Sequence, residues 1–301
     1  MKLFITIIFL FSFYPYNRPS KKEVLLNITK KYLPDNYILL ENYDEETVNF
    51  LAPGDSLEDY IFDFPTIIHE GFHDFGDKIN SYSDTIRRYR LDDTTTIGIR
   101  KFTSFPSRKI NEIVPSYIQK QIFRYDTYIN SPDTNLGTQQ NGFLGLLEEY
   151  SAYYQDLKAY TSTYFFLKDT FGWKKPKVWV EYLNKGSVIY SINEFKLFLS
   201  WYLQYSKSKH PDIYKKIISD VNIKRLYTKI EVNAHKLLFT FLNNRQQILS
   251  KIKPFTVREN GFIRITGTDY GYGIDDHIKM LTRTQQILGD PKNDILKHLR
   301  E

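Results

Sequence analysis

The amino-acid sequence predicts an α+β fold that is predominantly helical with a small β component. Three observations carry this. First, apolar residues recur at helical spacing over long stretches: FLGLLEEYSAYYQDLKAYTSTYFF from Phe143 to Phe166, Ile192 to Tyr205, and Ile223 to Ile252. Second, strand-like runs are few and short, the clearest being Phe255–Glu259 and Phe262–Thr266 around Asn260-Gly261, a dipeptide that favours a two-residue hairpin turn. Third, a chain of 301 residues that is 42% hydrophobic and 25% charged can bury a sizeable core. No internal repeat or low-complexity linker interrupts residues 20–301, which are read as a single domain.

The elements follow in order. Lys2 precedes an apolar run, Leu3 to Phe13, broken by Tyr14-Pro15. One positive charge before about eleven apolar residues suits the core of a signal peptide and is short for a membrane span. Residues 1–19 are therefore expected to direct export to the periplasm, cell surface or medium. No small-x-small cleavage site precedes Asn17-Arg18-Pro19-Ser20, so an uncleaved N-terminal membrane anchor is the alternative. Lys22–Tyr32 reads as a helix ended by Pro34. Tyr37–Leu40 and Thr47–Leu51 read as short strands, and Ser56-Leu57-Glu58 as a capped helical turn.

Pro65 suits the first turn of a helix that continues through Phe72 and Phe75, with Gly76 or Ile79 near its end. A polar stretch from Asp84 to Asp93 precedes a strand over Thr94–Phe102. The long helix from Phe143 stops at Gly172-Trp173. After the C-terminal hairpin comes a glycine- and tyrosine-rich loop, Gly267 to Gly273. Asp275 then caps a helix to Leu288, and Asp290-Pro291 opens a last one.

Absence of cysteine excludes disulfides, thiolate metal ligands and a cysteine nucleophile. The formal net charge of +6 is too weak an excess to indicate nucleic acid.

Within the Pro65 helix lies His69-Glu70-Gly71-Phe72-His73, an H-E-x-x-H pattern. Residues four apart share a helix face, so two imidazoles can grip one ion while the intervening glutamate stands nearby as a base. A catalytic zinc takes three protein ligands, and the third decides the class. The metzincin extension fails, because its last ligand position is Ile79. Two glutamates on the long helix remain, Glu148 and Glu149. Glu149 has Gly145 one turn before it and Ala152 one turn after, small residues that would let two helices approach closely. Leu144, Ser151 and Gln155 flank Glu148 and read as an ordinary solvated face. Asp269, in Gly267-Thr268-Asp269-Tyr270-Gly271, and the remote histidines His210, His235, His277 and His298 are further options.

With HExxH followed by Glu149-Tyr150-Ser151-Ala152, the chain resembles gluzincin peptidases, whose third-ligand helix commonly reads Glu-x-x-Ala or Glu-x-x-Ser. The resemblance covers these two helices; the 76 positions from His73 to Glu149 exceed the separation in compact members and imply an insertion. It implies a zincin-like metallopeptidase domain with Zn2+ held by His69, His73 and Glu149. Glu70 would activate the zinc-bound water, and the substrate would be a peptide or protein. It also implies a substrate-binding strand, for which residues 94–102 stand, and an oxyanion-stabilising group, for which Tyr270, Tyr272, His277 and Arg264 stand. Two other readings are a catalytically inactive zincin-fold binding or scaffold protein at the cell surface, and an aromatic-rich carbohydrate binder in which the motif is incidental.

Overall fold

One 29-residue helix, Phe143–Phe171, organises the architecture. Its residues are apolar or tyrosine on almost every side, and a helix of that kind must be enclosed. The HEGFH helix, Phe64–Ile79, packs along it, as do helices Val188–Lys209 and Val221–Ile252. One hydrophobic core runs from Leu25 to Leu299, with Tyr150, Tyr164, Phe195 and Phe198 among its fully buried rings. The computed structural model describes residues 19–301 except 82 and 260. The expected export segment, with its run Leu3–Phe13, lies outside the described residues. Among the described residues, no helix is long and apolar enough to cross a membrane.

Helices dominate and the β component is small, as the sequence predicts. Strands β1 (Ile86–Arg90) and β2 (Thr96–Arg100) form an antiparallel pair, and β3 (Thr256–Glu259), β4 (Phe262–Ile265) and β5 (Gly271–Tyr272) form a second sheet in that order. Glu259 opposite Phe262 confirms the two-residue hairpin, though residue 260 itself is not described.

Other expectations hold with shifted bounds. The first helix is Lys21–Tyr32, where Ser20 and Glu23 exchange a capping box. Ser56 caps Leu57–Tyr60, and Gly172 (φ +59°) follows the long helix. The HEGFH helix passes Gly76 and ends at Ile79.

Two expectations fail. Tyr37–Leu40 and Thr47–Leu51 are not strands; they fall in helices Tyr37–Glu41 and Glu45–Leu51. Short apolar runs do not distinguish the two states by periodicity, and here Asp44 caps the second helix by accepting from the Thr47 amide at 2.7 Å. The polar stretch 84–93 contains β1, whose arginines are spent on partners: Arg88 on Asp84, Arg90 on the Asp35 carbonyl, and Arg87 on Glu148. Strand β2 is not an open edge. It pairs with β1 on one side, and on the other the Asn222 amide donates to the Gly98 carbonyl at 2.8 Å. A peptide adding there would have to displace that contact.

Candidate metal centre

The HEGFH helix is seated from both sides. Ile67, Ile68 and Phe72 enter the core. Gly71 lies against helix Tyr37–Glu41 so closely that a Cβ would stand 2.6 Å from the Leu39 carbonyl oxygen. Only glycine fits that approach. The seat turns His69 and His73 toward the long helix, where their rings stand 5.1 Å apart edge to face.

Glu149 meets them. Its Oε2 lies 3.7 Å from Nε2 of His69 and 3.7 Å from Nε2 of His73, and ligand atoms of the three residues fall within 4.8 Å of one another. Two ligand atoms on a tetrahedral zinc stand about 3.3 Å apart, so small side-chain shifts would close this set on an ion. The Glu149 Oε2 is buried and has no hydrogen-bond partner. A buried carboxylate oxygen left bare is costly, and a cation at the centre of the three side chains would satisfy it. The residues fit a metal of the zinc class, with two imidazoles and one carboxylate as donors.

Carboxylates also stand at the far nitrogens of both rings. The Nδ1 of His73 lies 3.5 Å from Glu148 Oε1, and the Nδ1 of His69 lies 4.0 Å from Asp156 Oδ2. Acidic partners at the second nitrogen orient metal-ligating histidines and fix their tautomer. Arg87, reaching in from β1, bonds the other oxygen of Glu148.

The electrostatics divide the two imidazoles. Burial, with the His73 and Arg124 charges, holds the His69 pKa well below its ordinary value, so His69 is neutral and offers a lone pair. For His73 burial acts downward, but the Glu148 and Glu149 carboxylates facing its two ring nitrogens outweigh it and raise the pKa to about 10. A metal taking His73 must therefore displace a proton. Partial burial raises the Glu70 pKa and His73 opposes it, while the Glu149 and Asp74 carboxylates add to the rise.

Glu148 and Glu149 thus take different positions, but two reasons for separating them from sequence need correcting. Gly145 does not admit the HEGFH helix; a Cβ there would stand 2.2 Å from the Gly137 carbonyl oxygen. Nor is the Glu148 face solvated. Ser151 and Gln155 are buried, and Gln155 joins Asn36 to the carbonyls of Arg90 and Leu91.

Sequence reading also missed an aromatic and cationic cluster beside the histidines. The Tyr153 ring lies 4.5 Å from the His69 ring, and its hydroxyl is 3.0 Å from that of Tyr128. The Arg124 guanidinium sits 4.6 Å over the Tyr153 ring and is anchored to the fully buried Glu194 at 2.8 Å. Tyr153 follows Glu149 by one helical turn, a signal available in the sequence. Arg124 and Tyr128 stand at the two ends of the short helix Tyr125–Tyr128, distant in the chain, and gave none.

The C-terminal candidates face elsewhere. Tyr270 bonds Glu181 and packs against Tyr272, and Nε2 of His277 lies 2.5 Å from the Asn184 carbonyl oxygen. Both partners belong to helix Pro176–Asn184. Arg264 is exposed on β4, and Asp269 is exposed in the loop after it. Among the described residues, the group with metal-ligand geometry is His69, His73 and Glu149.

The chain matches no known protein-family model, no curated protein and no solved structure.

Proposed function

We propose that this chain is an exported, zinc-dependent peptidase with a zincin-like catalytic core, acting on a peptide or protein substrate. The observation that carries the reading is the bare Oε2 of Glu149, buried and 3.7 Å from both Nε2 atoms. His69, His73 and Glu149 would hold the ion. When bound, zinc supplies a Lewis acid that polarises the scissile carbonyl and makes water acidic near neutral pH.

The remaining chemistry belongs to the chain. Glu70 follows the first ligand on the same helix and remains solvent-accessible. Its raised pKa suits a group that takes a proton from the attacking water and returns it to the leaving amine. Tyr128 and Tyr153 share one short contact, and one hydroxyl can donate to the other while the second keeps its hydrogen. The Arg124 guanidinium lies over the Tyr153 ring, and its charge favours a hydroxyl that donates. The free hydrogen would stabilise negative charge developing beside the histidines. This role passes to Tyr128 and Tyr153 from the C-terminal loop.

Metal analysis of the purified chain should find about one zinc per molecule, and finding none would exclude the reading. Glu70→Gln should abolish peptide hydrolysis while zinc stays bound. Zinc binding without hydrolysis in the unaltered protein would favour the inactive scaffold instead.

A further inference from the structure

The β3–β4 hairpin turns one face inward, where Ile263 is buried and Arg258 bonds Asp275. Its other face carries Val257, Glu259, Phe262 and Arg264, and all four are exposed. Phe262 keeps 58% of its surface in water and Val257 39%, and the four residues line a hollow of about 320 Å3. Phe255, 41% exposed just before β3, adds apolar surface at the end away from the turn. Large apolar side chains clustered in water mark a docking surface.

The register says what this face fits. Val257 stands opposite Arg264, and Glu259 opposite Phe262. Because side chains alternate between faces, these four are the corners of one rectangle, about 5 Å across the strands and about 7 Å along them. The apolar pair occupies one diagonal and the charged pair the other. Among the described residues, neither Glu259 nor Arg264 forms an ion pair, whereas Arg258, the residue before Glu259, is paired with Asp275. Both charges are therefore open to a partner.

A two-fold axis laid along the Val257–Phe262 diagonal sets this face on a second copy of itself. Val257 then meets the partner's Val257, and Phe262 the partner's Phe262. Each Glu259 meets the partner's Arg264, so two ion pairs flank an apolar centre. Self-complementarity of this kind is what a two-fold interface requires.

The geometry points to a weak homodimer of this chain, formed through the outer face of the β3–β4 hairpin. Four side chains with Phe255 beside them fall short of the roughly 20–30 residues a side that a stable interface uses. The expected dissociation constant is therefore on the order of 100 µM, and the contact does not depend on the metal reading.

The test uses the full chain, which has no cysteine of its own. Val257→Cys places one thiol beside the axis, and diamide should oxidise two such thiols to a disulfide-linked dimer, read on a non-reducing gel. Phe50→Cys, at a position 82% exposed and far from β3 in the chain, should give at least tenfold less dimer. In the Val257→Cys background, Glu259→Arg or Arg264→Glu alone brings like charges together at both contacts and should cut the yield at least tenfold. Combining the two reversals in one chain, or mixing the two singly reversed chains, restores opposite signs and should recover it. All these positions are exposed, and circular dichroism checks that each variant folds. Sedimentation of the unaltered chain up to about 500 µM should show its average mass rising with concentration. A constant monomer mass, a yield that neither single reversal lowers, or no recovery in the combined variant overturns the proposal.

Discussion

Glu148 stands behind His73, its Oε1 3.5 Å from the ring Nδ1, while Glu149 faces the same ring's Nε2 at 3.7 Å. Consecutive residues on a helix point about 100° apart, and here that rotation places one carboxylate on each side of a single imidazole. Glu149 could hold an ion together with the two imidazoles, and Glu148 would then orient His73 as its ligand.

Zinc affinity should therefore respond unequally to the two glutamates. Glu148→Ala removes an orienting partner and should weaken zinc by about 10- to 100-fold. Glu149→Ala removes a ligand and should weaken it well beyond that, as read by competition with a chromophoric chelator. The reverse order would exchange their roles.

Tyr128→Phe should lower kcat by about 10²- to 10³-fold with KM little changed, if this hydroxyl carries the hydrogen that meets the developing oxyanion. The Tyr128 backbone carbonyl accepts from Ser107, Thr138 and Gln139 at 2.8–2.9 Å, so its position does not rest on the hydroxyl. Tyr153→Phe removes the hydroxyl that pairs with Tyr128 and should act in the same direction. Kinetics on one peptide at saturating zinc separate the variants; full activity in both would remove the pair from the mechanism.

Gly71→Ala tests the seat of the HEGFH helix. The added Cβ would press on the Leu39 backbone carbonyl, which cannot swing aside as a side-chain end could. Overpacking of this kind costs about 1–3 kcal/mol, and urea denaturation should show it. Because the helix must shift away from helix Tyr37–Glu41, zinc affinity should fall as well. Unchanged stability would mean that the two helices slide apart freely.

Glu231 sets an acid limit on stability. Burial pushes its pKa up, but hydrogen bonds from Arg300 and the Lys196 charge prevail and lower it from an ordinary 4.5 to about 2. The sign follows from linkage: a depressed carboxylate stabilises the fold above its unfolded pKa and loses that contribution as pH falls through the folded one. The window is therefore roughly pH 4.5 down to about 2, and the contribution on the order of 3 kcal/mol. Glu231→Gln should flatten the pH dependence of urea stability across that window. An unchanged slope would show that other acids set the limit.

Local patterns in the chain carried much of this architecture. The long helix from Phe143, the start of the HEGFH helix and the two-residue hairpin between β3 and β4 follow from periodicity, a proline in a first turn and turn chemistry. These signals lie within a few residues of what they control. The segments 37–40 and 47–51 were misread for the same reason, since so few residues carry no decisive period and tertiary packing selected the state.

The candidate site divides along the same line. By itself the sequence determined that two imidazoles share a helix face with a glutamate beside them, because spacing along an α-helix sets direction. The structure brings Glu149, not Glu148, into a group with His69 and His73 that could hold a metal, although neither neighbour argument for that choice holds: Gly145 makes room for Gly137, and Gln155 is buried. Only the tertiary structure decided what surrounds the three side chains. Arg87, Arg124 and Tyr128 are 62, 25 and 21 positions before Glu149 in the chain, on a strand and at the two ends of a short helix, Tyr125–Tyr128, whose docking depends on the whole core. Burial then left the Glu149 Oε2 without a partner and tied Glu148 to Arg87. Desolvation and long-range charge are properties of the assembled fold, and no short stretch of sequence contains them.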